Sequence, residues 1–163
     1  MAVSNNTKIY VCGGFSDGGD HIDLWQFDMG RREWEMLSPD NNSANNPALR
    51  YCAALALYGR KLYLFGGRSR KFPKLNFNDL WIFDLDAAVW DIVHEQRQLN
   101  QYDATAEFPG YHAKSSSAVV GGHWYIWGGE GMHGHVSDFW RLDFEKVRWE
   151  LVQTARDDDP VFW

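Results

Sequence analysis

Apolar residues in this chain fall in short runs, broken by glycine or by polar turns, and the same order of runs appears three times. Lys8 to Cys12 is β-branched and aromatic and stops at Gly13-Gly14, the mark of a short strand with a glycine exit. Residues 15–21 read as a Gly/Asp/Ser loop. Leu24 to Phe27 follows as a strand, with Trp25 and Phe27 on one face by the period of two. A turn at 29–32 leads to another strand, Glu33 to Leu37, and 41–47 is a polar Asn/Ser/Pro loop. The cycle restarts with Cys52 to Tyr58, Leu62 to Phe65, Leu80 to Phe83 and Val89 to Val93. It runs again through Ser115 to Val120, Trp124 to Trp127, Phe139 to Leu142 and Trp149 to Val152. Each cycle predicts four short strands.

Fixed residues mark each cycle. Gly13-Gly14, Gly66-Gly67 and Gly128-Gly129 each precede an Asp-x-Trp-x-x-Asp segment: Asp23 to Asp28, Asp79 to Asp84 and Asp138 to Asp143. In every copy the closing Asp stands six residues before a further Trp: Trp34, Trp90 and Trp149. The second glycines of the doublets lie 53 and 62 residues apart, a period that points to radial repetition in propeller blades. A β-sandwich would space its strands evenly without the long period.

These residues resemble the kelch family over Lys8 to about Gln153. The positions matching the family's diagnostic glycines and tryptophan are Gly13, Gly14 and Trp34; Gly66, Gly67 and Trp90; Gly128, Gly129 and Trp149. Where the family usually carries a Tyr, this chain has Phe27, Phe83 and Leu142. The resemblance implies an all-β fold, β-propeller blades of four antiparallel strands, with three kelch-type blades at about 1–46, 47–108 and 109–159. Each Trp is expected to be buried between neighbouring blades. By repeat alignment Met1 to Ser4 matches Ala54 to Leu57, so the first strand is a stub. Pro160 falls where Pro47 and Pro109 fall, making 160–163 the start of a missing next blade or a disordered end.

Three blades do not close alone, since propellers typically need four to eight. An open arc would expose an aromatic face at each end. Three explanations stay open: a fragment of a longer kelch protein, half of a six-bladed ring completed by a homodimer, or a stable open arc.

Composition narrows the function. A net charge of −6 argues against a general nucleic-acid binder. No run of eighteen apolar residues is present, so no membrane span is expected. Two cysteines are too few for a disulfide framework, and a cytoplasmic or nuclear setting is expected. On this acidic chain the loop Arg68, Ser69, Arg70, Lys71, Phe72, Pro73, Lys74 carries four cations. It joins two strands of the second blade, and the resemblance implies a face shared with the links between blades. Its Arg and Lys side chains suit an acidic peptide or carboxylate, with Phe72 as apolar anchor; a solvated loop is the plain alternative. Arg50 and His112 each stand sixteen residues before the first glycine of their doublet. Arg50 either points into the central mouth to meet a ligand acid or holds loop carbonyls, with His112 a weaker version of either. His133 and His135, near Glu130 and Asp138, form a weak metal candidate; no cofactor or metal is expected. Neither the nucleophile elbow, the phosphate loop nor the zinc-protease helix motif occurs. The copper-oxidase and iron-binding patterns of catalytic kelch proteins do not occur either. The expected function is therefore a non-enzymatic protein-binding module, a scaffold or substrate receptor. A fragment of a metal-dependent catalytic propeller is the alternative.

Overall fold

The computed structural model describes residues 1–39, 45–70, 76–96 and 107–153. Among them, twelve strands form three four-stranded antiparallel sheets. The first holds β1 (Ala2–Ser4), β2 (Lys8–Ser16), β3 (Gly19–Asp28) and β4 (Glu33–Ser38). The second holds β5 (Ala54–Tyr58), β6 (Lys61–Phe65), β7 (Leu80–Asp84) and β8 (Val89–His94). The third holds β9 (Ser116–Val120), β10 (His123–Trp127), β11 (Phe139–Asp143) and β12 (Arg148–Leu151). Neighbours in sequence are neighbours in each sheet, the meander that the three cycles predict. β1 has three residues, against five in β5 and β9.

One local expectation fails. Residues 15–21 are not a loop: β2 runs through Gly13-Gly14 to Ser16, and β3 starts at Gly19. A bulge between Cys12 and Gly14 absorbs the irregular backbone, after which Phe15 pairs with Asp20. The glycines thus mark a bulge in a continuing hairpin rather than its end. The stretch 160–163 lies outside the described residues.

The turn between the last two strands of each sheet repeats atom for atom. The Oδ1 atoms of Asp28, Asp84 and Asp143 each accept two backbone N–H groups, two and three residues on. Four residues after each Asp, a non-glycine residue takes positive φ: Arg32, Ala88 and Val147. Aspartate in this place closes the turn through its own side chain, which is why it recurs six residues before the Trp.

The core is two layers, each between adjacent sheets. One packs Tyr10, Cys12 and Leu24 against Leu62, Leu64, Trp81, Phe83 and Trp90. The other packs Tyr63, Phe65, Leu80 and Ile82 against Trp124, Ile126, Trp140 and Trp149. Alternate residues of β6 and β7 thus serve opposite layers, as a strand's period of two requires. Trp90 and Trp149 are 6% and 3% exposed, each resting on the preceding sheet. Trp34 departs from the expected burial: it is 55% exposed, because no described sheet precedes the first one.

Candidate interaction face

The glycine doublets set the spacing between sheets. A Cβ on Gly66 would lie 2.3 Å from the His112 carbonyl oxygen, far inside contact distance. Its φ of +68° also favours glycine. With no side chain there, the backbones approach closely enough to bond. Gly67 N–H donates to His112 O at 2.7 Å, and Gly14 N–H to Arg50 O at 3.4 Å. The first two doublets are the seams between the described sheets.

Arg50 and His112 sit behind these seams. Arg50 is fully buried. Its guanidinium donates to both Asp79 carboxylate oxygens at 2.6 and 2.8 Å, and also to the Gly66 and Ala48 carbonyls. The Phe77 ring lies under it at 3.9 Å. His112, also buried, directs Nδ1 to the Gly128 carbonyl at 3.0 Å and Nε2 to Asp138 Oδ2 at 3.2 Å. The sixteen-residue spacing is therefore the hydrogen bond to the first glycine's carbonyl. Neither side chain reaches the surface, so the mouth-facing, partner-contacting role for Arg50 and His112 gives way to the carbonyl-holding one. The carboxylates have a further duty: Asp23, Asp79 and Asp138 each accept the indole N–H two residues on, at 2.6, 2.8 and 2.7 Å. This explains the Asp-x-Trp pairing. Burial pushes the Asp138 carboxyl up, but His112 and the Trp140 indole outweigh it and leave the group below the usual 3.8.

In front of the seams, segments of all three sheets are tied to one another. Asp20 Oδ2 accepts from Ser69 Oγ at 2.7 Å and from the Arg70 backbone N–H. Asn76 donates to the Gly131 carbonyl at 2.8 Å. Arg68 forms an ion pair with Glu130, which Lys114 also reaches at 2.6 Å. Hydrogen bonding from Lys114 leads the causes that hold Glu130 below its ordinary range, with the Arg68 charge adding to it. Arg68 also stands over the Tyr51 ring at 5.1 Å. Arg70 differs. Its guanidinium lies 4.3 Å over Phe15, a ring 56% exposed that meets Tyr51 edge-on at 5.3 Å. Among the described residues no carboxylate pairs with the Arg70 guanidinium.

Of the residues expected on this face, Arg68 and Arg70 are present and close to one another. Lys71, Phe72 and Lys74 lie outside the described residues. Phe15, Tyr51, Asp20 and Glu130 were missed. Repeat alignment carried the signal, since Phe15, Arg68 and Glu130 each follow their glycine doublet and a constant scaffold presents three unlike side chains there. His133 and His135 gain no free carboxylate from the expected pair, because Glu130 is bound to Arg68 and Lys114, and Asp138 to His112 and Trp140. Among the described residues no group of three or more His, Cys, Asp or Glu is placed to hold a metal ion. No described helix is long and apolar enough to cross a membrane.

A family model described as the KLHDC2/KLHL20/DRC7 Kelch-repeats domain matches residues 1–161. The chain belongs to the kelch-repeat family. Its curated relatives include Kelch domain-containing protein 10 of Homo sapiens, 26% identical over 167 residues that cover 100% of this chain and 35% of the relative. Kelch domain-containing protein 3 of Bos taurus is 25% identical over 174 residues, covering 99% of this chain and 42% of the relative. A third relative bears an enzyme's name, N-(sulfonatooxy)prop-2-enimidothioate sulfolyase of Thlaspi arvense. It is 27% identical over 119 residues, 72% of this chain and 31% of that protein. This kelch chain spans about a third of the length of the first relatives it matches.

Proposed function

We propose that this kelch chain is a protein-binding module whose loop face takes an acidic segment of its partner around Arg70 and Phe15. The observation that carries this reading is an exposed guanidinium stacked on an exposed ring, with its own backbone pinned by Asp20. Arginine on an aromatic plane keeps its donors directed outward toward a carboxylate. The ties between Asp20 and Ser69, Asn76 and Gly131, and Arg68 and Glu130 hold the surrounding loops before any partner arrives. Binding then loses little ordering entropy. Arg68, already neutralised by Glu130, positions Tyr51 and the neighbouring loop rather than supplying free charge. Lys71, Phe72 and Lys74 come soon after Arg70 in the sequence and lie outside the described residues. The module would serve as a scaffold or substrate receptor in the cytoplasm or nucleus, and its acidity disfavours nucleic acid as a partner.

A peptide-display selection against the immobilised chain tests this reading. Enriched peptides should carry Asp or Glu, and Arg70→Glu should lose them while the melting temperature stays put. Enrichment without acidic residues, or equal capture by the variant, removes this face from the site. The sulfolyase-named relative favours the alternative of a fragment of a catalytic propeller. Stoichiometric copper or iron in the purified protein would favour that reading.

A further inference from the structure

Between the first and second sheets, Arg50 meets the Gly66 carbonyl and the Asp79 carboxylate. Between the second and third, His112 repeats the contact with Gly128 and Asp138 in those places. Its Nδ1 lies 3.0 Å from the Gly128 carbonyl oxygen and its Nε2 3.2 Å from Asp138 Oδ2. A carbonyl oxygen only accepts, and so does an ionised carboxylate. A neutral imidazole carries one N–H, so one of its nitrogens would turn a lone pair toward an oxygen. The imidazolium donates to both. Asp138 does not supply the second proton. Its Oδ2 already accepts the Trp140 indole N–H at 2.7 Å, which favours the carboxylate form. His112 is 1% exposed, so water does not replace a lost partner. The ring also cannot serve both carboxylate oxygens as the Arg50 fork does, and Asp138 Oδ1 is left buried with no hydrogen-bond partner.

The same residue reaches back to the second sheet through its main chain, where its carbonyl accepts the Gly67 N–H at 2.7 Å. We propose that His112 is a proton-dependent clasp between the second and third sheets, closed as the imidazolium and weakened when the ring loses its proton. Among the described residues, Asp138 is the charged group bonded to the ring. Other charges nearby are engaged elsewhere: Asp79 with Arg50, and Lys114 and Arg68 with Glu130. On the side of the second sheet the ring meets Phe65 at 6.2 Å, and His94 lies beyond, against Phe108 at 4.8 Å. The clasp therefore opens at both ends of the pH scale, as acid protonates Asp138 and as base strips the ring. Arg50 keeps its charge throughout, so the first seam lacks the alkaline limb. Ala113, the next residue, is bridged to Glu130, which places the clasp beside the Arg68 ion pair of the loop face.

Nitrogen NMR of histidine-labelled wild type reads the ring directly and needs no variant. At neutral pH both ring nitrogens of His112 should be protonated. Denaturant titrations from about pH 6 to about pH 9, below the ordinary range of lysine, then compare the wild type with His112→Arg. The contribution of the charged ring is full at the low end and is lost as pH rises. Across this window the unfolding constant should grow roughly tenfold more in the wild type than in the variant. The guanidinium keeps its protons and the other histidines are common to both proteins, so the difference belongs to this ring. Hydrogen exchange localises it: as pH rises in the wild type, protection of the Gly67 amide should fall relative to that of Gly14, its counterpart at the Arg50 seam. Should His112→Arg fail to fold, ring protonation and this exchange ratio decide in the wild type alone. An unprotonated ring nitrogen at neutral pH, parallel stability profiles, or an exchange ratio indifferent to pH would each overturn the clasp.

Discussion

The middle sheet and the two that flank it come from one repeat, yet among the described residues only the middle one is buried on both faces. Its central strands show this in composition. Leu62 to Phe65 and Leu80 to Phe83 are unbroken apolar runs, and all eight residues are buried. β10 and β11 instead alternate between buried and half-exposed positions along their whole length. At the place of Ile82 the third sheet carries Arg141, half-exposed and held by Glu150. The repeat therefore decides local conformation, while the neighbour on each side decides what a given side chain contributes. Continuous apolar runs are what a sheet covered on both faces requires.

The largest expected effect comes from the buried ion pair of the middle sheet. Asp79→Ala leaves Arg50 charged and uncompensated in the interior, at a cost of roughly 3–5 kcal/mol. The equivalent change in the first sheet, Asp23→Ala, removes only a partner of the Trp25 indole and should cost about 1 kcal/mol. Equal losses in denaturant titrations would break the comparison. Next come the phased tryptophans. Trp90→Ala should cost about 3–5 kcal/mol as a buried aromatic truncated to a cavity. Trp34→Ala should cost about 1 kcal/mol or less, because the ring is already 55% exposed.

The third sheet sharpens the contrast through pH. His112 replaces the permanently charged Arg50, and Asp138 is the carboxylate it faces. The folded-state pKa of Asp138 is lowered, so the stability it contributes is full above the ordinary carboxylate range. That contribution is lost as pH falls through the lowered folded value. Stability measured from neutral pH down through the carboxylate range should therefore fall less steeply in Asp138→Asn than in the wild type. An unchanged slope would dissociate the pair from acid sensitivity. The smallest effect is expected at the shared turn, where Ala88 holds φ at +56° on the surface. Ala88→Gly relieves left-handed strain but loosens the unfolded chain, for a net gain of about 0.5 kcal/mol in thermal melts.

The blades were legible in the sequence because each strand is short, glycine-bounded and phased by a Trp, all local properties. The loop after the first doublet was misread because Gly13 and Gly14 signal a bulge and a strand end equally well. What the bulge became depended on Phe15 pairing with Asp20. The candidate face was half legible. A cluster of cations shows in any sequence, but their partners lie far along the chain, Glu130 for Arg68 and Phe15 for Arg70. Arg50 misled for the same reason: its carboxylate is 29 residues away. Spacing located the residue, and only the fold showed that it faces inward.

Everything on the loop face depends on sheets joined closely at the glycine doublets. Gly59 and Gly66 both hold left-handed backbone, with φ of +59° and +68°. A Cβ on Gly59 meets nothing within 4 Å, while one on Gly66 meets the His112 carbonyl. Chemical denaturation of Gly59→Ala and Gly66→Ala side by side isolates that approach. The conformational penalty alone, about 1–2 kcal/mol, is expected for Gly59→Ala, with at least a further 1–3 kcal/mol for Gly66→Ala. Equal losses would mean that the sheets do not meet at this seam.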